Sequence, residues 1–407
     1  MDRVAALALL LALNAWVAWR YARLPIGPDE GIWMLTGWTG ARYGVDYVDC
    51  KPPGIHLWMA LLARITRRSV SGAKFLHHLA MGGFSLGAYL LTGSLGAGLL
   101  TTALLQSAWF YSYQSWMDAA SAGFLLMAVL TPPPYMVLFL ALAVLFNVKL
   151  AVPGAVWVLA NPAMWLPTAI SGGVLLLLVG AAALLWPDAA RRVWFASVEV
   201  PRRMTAFRSE HATSVFRVWP HYLATSLLLA VAALVAGFSG GFDWRLALVV
   251  GSYVVLNSWG GVWRPNHFLP LVVVAAAAPT LPASLIVLLA EWVSLRGYTV
   301  NAWSVTYPEI APLLEQARAC GERLKGQDGE LWVNSWNTQI YVYAQKPPRY
   351  GVQQLEIRDV TPERAEAARE KLRETAPEWI VLGPGATSGH PQNYRPVGKF
   401  GSFEVWA

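Results

Sequence analysis

The sequence predicts a polytopic α-helical membrane protein with a small α/β domain at its C-terminal end. Three observations carry that class. The 407 residues are 56% hydrophobic and only 14% charged, far from the composition of a soluble domain. Apolar runs recur between residues 4 and 296, enough for about nine to eleven spans at roughly 20 residues each. From about Tyr298 onward Glu, Lys, Arg and Gln return and the long apolar runs stop. Residues 1–296 therefore read as the membrane domain and 297–407 as a water-soluble one.

Taken in order, spans are expected near 4–22, 75–92, 95–112, 118–131, 134–150, 151–162, 165–186, 221–238, 244–260 and 266–296. The first run ends at Arg20-Tyr21-Ala22-Arg23, an interfacial anchor with no small-residue cleavage site, so it is expected to be a retained span. The stretch 134–160 contains Asn147, Lys149 and Pro153, and 266–296 contains Pro279 and Pro282, so each is one kinked helix or two short ones. Within the first external loop, 24–74, Gly31 to Arg42 and Gly54 to Ile65 carry apolar residues at helical spacing, as interfacial helices do. A second long loop, 187–220, is basic and aromatic. The tail reads as a helix at Ile310 to Leu324, strands at Leu331 to Val333 and Gln339 to Tyr343, a helix at Pro362 to Glu374, and strands at Trp379 to Leu382 and Phe403 to Trp406.

The net charge of +7 is concentrated in the loops: Arg64, Arg67, Arg68 and Lys74 in one, and Arg191, Arg192, Arg202, Arg203, Arg208 and Arg217 in another. In a chain this apolar, such loops suit anionic lipid head groups or a phosphate-bearing substrate and argue against nucleic acid. Two cysteines, Cys50 and Cys320, make no disulfide framework or metal spacing, although one bridge between them is open in an oxidising compartment.

Chemistry concentrates in the first loop. It opens with Gly27-Pro28-Asp29-Glu30-Gly31, where paired carboxylates suit a general base or a divalent cation, and equally suit the first turn of a helix starting near Gly31. It continues with Asp46-Tyr47-Val48-Asp49-Cys50-Lys51-Pro52-Pro53-Gly54-Ile55-His56-Leu57-Trp58. The diproline holds the backbone rigid beside Lys51, placing its ammonium where a phosphate can meet it; a plain surface lysine before a helix is the other reading.

Asp-Glu-Gly followed about 20 residues later by Tyr-x-Asp-x-Lys-Pro-Pro-Gly resembles the first periplasmic loop of GT-C glycosyltransferases of the protein O-mannosyltransferase and aminoarabinose transferase superfamily. Arg264-Pro265-Asn266-His267-Phe268-Leu269-Pro270 and Tyr341 to Tyr350 are also similar to later segments of that family. The resemblance implies a GT-C-like fold in a bacterial inner membrane, with the active site and tail on the extracytoplasmic side. Both basic loops then lie outside the cytoplasm, against the positive-inside tendency, and binding of a lipid phosphate accounts for their charge.

The implied activity is transfer of a sugar from a polyprenyl-phosphate donor to an acceptor hydroxyl, with inversion. Asp29, with Glu30 beside it, would accept the hydroxyl proton. Asp118, the position matching the family's second acid, would orient the sugar or acceptor; an Asp at a span boundary also suits a helix cap. Lys51, Asp49, Arg203 and His211 would meet the donor, Arg264 and His267 would close the site, and Trp58 would stack on the sugar or line the prenyl groove. A divalent metal stays open, with Glu30, Asp49 and Asp118 as candidate ligands; the family's Glu-His pair has no clean counterpart, since Glu199 is followed by Val200. The partners are the bilayer, the lipid-linked sugar and an acceptor of unspecified class. Two other classes compete: a non-catalytic lipid-binding or transport protein, for which no internal repeat is visible, and a lipid-pyrophosphate oligosaccharide transferase, whose Trp-Trp-Asp type peptide site is missing.

Overall fold

In the computed structural model, residues 2–47, 49, 51–106, 116–210, 230–235, 238–241, 243–259, 269–277, 279–297, 310–335, 337–349, 362–384 and 393–407 are described. They are mostly helical, with one small sheet. The chain divides into two units: Met1–Ala22, Lys74–Ala190 and Arg208–Thr299 form one, and Arg23–Ala73, Arg191–Phe207 and Val300–Ala407 the other.

The first unit holds the apolar helices. Helix α1 (Arg3–Tyr21) starts where the Asp2 side chain accepts from Val4 N–H, and it buries Ala6, Leu10, Asn14, Val17, Ala18 and Tyr21 at helical spacing. Its one buried amide is fully engaged at Nδ2 and Oδ1. Asn14 donates to the Leu10 carbonyl (2.8 Å) and Thr102 Oγ1 (3.1 Å) and accepts from Gln106 Nε2. Such internal pairing is what makes a polar side chain tolerable inside a membrane bundle.

The expected run 134–160 resolves into two short helices, Tyr135–Phe146 and Ala151–Leu159, joined by a 3-10 turn. Asn147 makes the break: its backbone is extended and its side chain accepts from Lys149 N–H (3.2 Å). The run 266–296 is also divided, into Leu269–Val273, a 3-10 turn over Val274–Ala277, and Leu281–Gly297. Among the described residues two helices are long and apolar enough to cross a bilayer, Arg3–Tyr21 and Pro162–Leu185, and the other apolar helices run 10–17 residues. The 221–238 span lies mostly outside the described residues. Helix Trp165–Leu185 buries none of its side chains; Leu177 is 75% and Leu184 84% exposed. Its length and apolar surface are those of a helix that could cross a bilayer.

The second unit joins the first loop to the tail. Its sheet has the order β1 (Leu331–Asn334), β2 (Trp379–Leu382), β4 (Phe403–Trp406), β3 (Pro396–Phe400). The first two strands are parallel, as helix Pro362–Glu374 between them in sequence requires; the other pairings are antiparallel. Strand β3 escapes the sequence reading because it opens with Pro and contains Gly, residues that strands tolerate at an edge.

Gln339–Ala344, expected as a strand, is a helix with all six residues buried. Its Ile-Tyr-Val-Tyr run has strand propensity, but packing overrides it. A Cβ on Gly321, in helix Ile310–Leu324, would stand 2.6 Å from Tyr343 Cβ. A Cβ on Gly31, in loop helix α2 (Pro28–Thr39), would stand 2.5 Å from Gln339 N. Glycine on both flanks lets three helices lie this close.

Candidate active site

Loop helix α2 begins at Pro28, a residue pre-set for a first turn, and presents Asp29 and Glu30 there. Glu30 is buried and its Oε2 accepts from Gly27 N–H, closing the open end of the helix. Asp29 stands exposed one position earlier. The two carboxylates therefore differ in situation: one secures the helix start and the other faces outward.

Helix α3 (Gly54–Ile65) follows the diproline and buries Ile55, His56, Met59, Leu62 and Ala63. It leaves Leu57, Leu61, Ile65 and Arg64 exposed, with Trp58 half-buried. Lys51, half-buried, has its carbonyl fixed by Tyr43, whose hydroxyl donates to it at 2.6 Å. The Tyr43 ring packs on His56, with centroids 4.5 Å apart.

Asp49 is not displayed beside Lys51 as a second surface acid. It is buried, and its Oδ2 lies 3.2 Å from His56 Nε2. His56 Nδ1 lies 3.0 Å from Tyr47 Oη, which lies 2.8 Å from Thr36 Oγ1. Burial pushes the Tyr47 phenol far up, with the Asp49 and Asp46 charges adding to it, so the phenol keeps its proton. The arrangement that satisfies each atom has Thr36 donating to Tyr47, Tyr47 to His56, and His56 Nε2–H to Asp49. Tyr43, Tyr47 and His56 are absent from the sequence-derived candidates, although all three lie in or beside the Tyr-x-Asp and Lys-Pro-Pro segments that pointed to this loop.

Arg203 belongs to the same unit, in helix Val200–Glu210 after a π-helical turn over Phe195–Glu199. Its Nε donates to Glu199 Oε1 at 3.0 Å, and its guanidinium lies 4.0 Å from Glu363. His211, Arg264 and His267 lie outside the described residues, as does Cys50. Cys320 is a free, buried thiol, pushed up to about 12 by burial.

In the first unit, Asp118 is buried in the first turn of helix Trp116–Leu130 and accepts from Asn147 Nδ2 at 3.1 Å. Asn147 thus breaks one helix and supplies a donor to the acid. Lys74, expected in the loop, lies inside helix Val70–Thr92, which begins five residues before the predicted span. It is fully buried, 6.0 Å from the centre of the Trp116 ring, and the His77 ring lies 5.0 Å from the same indole. Among the described residues no three His, Cys, Asp or Glu side chains group as a metal site would require. Glu30 holds a backbone N–H, Asp49 an imidazole and Asp118 an amide, each through one carboxylate oxygen.

Apolar helices with two interrupted runs in one unit, and the first loop joined to the tail in the other, define the fold. A solved structure that shares it is ArnT from Cupriavidus metallidurans bound to undecaprenyl phosphate, with a TM-score of 0.61 and 16% sequence identity over 100% of this chain and 98% of that one. At that identity the likeness is one of fold. No protein-family model and no curated protein matches the chain.

Proposed function

We propose that this protein is a membrane glycosyltransferase that takes a sugar from a polyprenyl-phosphate donor and passes it to an acceptor hydroxyl on the extracytoplasmic side, with inversion. The observation that carries the reading is the full-length ArnT-like fold, whose named example binds undecaprenyl phosphate, together with an outward-facing acid and a braced lysine in the first-loop unit. The exposed Leu57, Leu61 and Ile65 stripe of α3, flanked by Arg64, suits a helix lying on the bilayer surface.

In the proposed reaction the acceptor oxygen attacks the anomeric carbon while Asp29 takes its proton. The bond from that carbon to the phosphate oxygen breaks, and its electron pair stays on the lipid phosphate. That phosphate carries growing negative charge and needs a cation rather than a proton, which is the role of Lys51, with Arg203, His211, Arg264 and His267 as further donor-side candidates. Asp118, held by Asn147, orients the sugar or acceptor, and Trp58 offers it a stacking face.

The test uses purified full-length protein in nanodiscs with a panel of undecaprenyl-phosphoryl sugars and a membrane extract as acceptor source, reading release of undecaprenyl phosphate. Asp29→Asn should lower turnover by at least about 100-fold, the scale of a lost general base, and still bind undecaprenyl phosphate. Equal turnover in that variant would remove Asp29 as the base. Tight binding of lipid by the parent with no turnover of any donor would favour a carrier.

A further inference from the structure

We infer that the buried tail helix Gln339–Ala344 is a positioning element for Asp29, so that the tail takes part in catalysis by holding the acidic helix rather than by touching substrate. The inference rests on the proposed role of Asp29. Three contacts bracket that residue. Ile26 N–H, three residues before it, donates to Tyr343 Oη at 3.1 Å. The carbonyl of Pro28, the residue before it, accepts from Thr338 Oγ1. Gly31, two residues after it, meets the backbone of Gln339 with no room for a side chain.

These contacts take up the Ile26 N–H just before the helix and the Pro28 carbonyl at its first position, at the end where a helix frays first. Tyr343 also lies within reach of the Glu30 charge. Burial is the main cause that pushes its phenol up, and the Glu30 charge adds to it, so the hydroxyl stays protonated. The far side of the tail helix is pressed by Gly321, and Tyr341 Oη accepts from Val333 N–H of β1 at 2.9 Å. The sheet therefore backs the tail helix, which in turn backs the first turn of α2. None of the three contacts involves Lys51, whose carbonyl is braced separately by Tyr43. The inference thus separates two functions: the tail governs the acid, and the 43–56 segment governs the cation.

The experiment compares Thr338→Val, Thr338→Ser and Tyr343→Phe in the full-length protein, with Asp29→Asn as reference. Two readouts are used: kcat and KM for release of undecaprenyl phosphate from the donor, and hydrogen–deuterium exchange over residues 27–35. Thr338→Val and Tyr343→Phe should each lower kcat by about 3- to 10-fold, the factor associated with one net hydrogen bond. KM and undecaprenyl phosphate binding should stay at the parental value, exchange over 27–35 should quicken, and Thr338→Ser, which keeps its donor, should match the parent. Unchanged exchange in both variants overturns the inference. So does a fall in kcat accompanied by an equal loss of lipid binding and thermal stability, which would report only a damaged tail. If Asp29→Asn turns over like the parent while exchange still quickens, the clamp stands and the role of Asp29 falls.

Discussion

Asp49 and His56, seven residues apart and separated by a diproline, form a hydrogen-bonded pair of 3.2 Å in which each side chain is 2% exposed. The pair closes the 43–56 segment on itself and ends a chain of hydroxyl and imidazole groups that begins at Thr36. Everything expected of Lys51 depends on this segment keeping its shape.

Truncating one member of the pair leaves the other buried without its partner. Asp49→Ala should destabilise the protein by about 1–3 kcal/mol, read as a drop in Tm in detergent. The double variant Asp49→Leu with His56→Phe should lose less than the two single losses summed, because no polar group is stranded.

Tyr43→Phe removes the hydroxyl that holds the Lys51 carbonyl and keeps the ring that packs on His56. Undecaprenyl phosphate should bind about 2- to 10-fold more weakly, the range of one hydrogen bond, while Tm changes little. A fluorescence titration of the purified variant checks this; unchanged affinity would detach Tyr43 from phosphate recognition.

Gly31→Ala places a methyl group against Gln339 backbone atoms 2.5 and 2.7 Å away. Helix backbones must separate to admit it, at about 1–3 kcal/mol. Gly83→Ala, in the interior of Val70–Thr92 with open space around it, serves as the control and should be neutral or stabilising. A lower Tm for Gly31→Ala than for Gly83→Ala is the expected outcome of thermal melts on the two variants.

Asp46 supplies the low-pH prediction. Burial alone would raise its carboxyl, but hydrogen bonds from the Arg42 side chain and backbone, with the Arg42 charge, bring it below the ordinary 3.8. A carboxyl lowered in the folded state adds stability above its unfolded value and loses it as pH falls through the folded one. Stability should therefore decline below about pH 4, and Asp46→Asn should flatten that decline. Thermal melts of parent and variant between pH 3 and 6 would show it.

The elements legible in the sequence are those whose pattern is local. Helices Gly54–Ile65, Ile310–Leu324 and Pro362–Glu374 and strands Trp379–Leu382 and Phe403–Trp406 stand where periodicity and flanking breakers place them. Asn147 could be seen to interrupt its run, but not to reach Asp118, because that bond joins residues 29 apart. The helix Gln339–Ala344 was hidden for a related reason: its conformation depends on Gly31 and Gly321, and neither neighbour is visible within its own six residues. The candidate site divides the same way. The carboxylates and the lysine announce themselves as residue types, whereas the hydroxyls bonded to the backbone on the N-terminal side of Asp29, those of Tyr343 and Thr338, sit more than 300 positions further along the chain.

Helix Trp165–Leu185 buries none of its side chains among the described residues, and Leu176, Leu177 and Leu178 lie on its exposed side. Its 21 residues rise about 31 Å, close to the roughly 30 Å of a hydrocarbon layer. Selection on its middle turns then acts through greasiness and length rather than through shape. Leu176, Leu177 and Leu178, each more than half exposed, should exchange freely with Ile, Val or Phe, whereas a lysine at any of them would suit water and not an apolar surrounding.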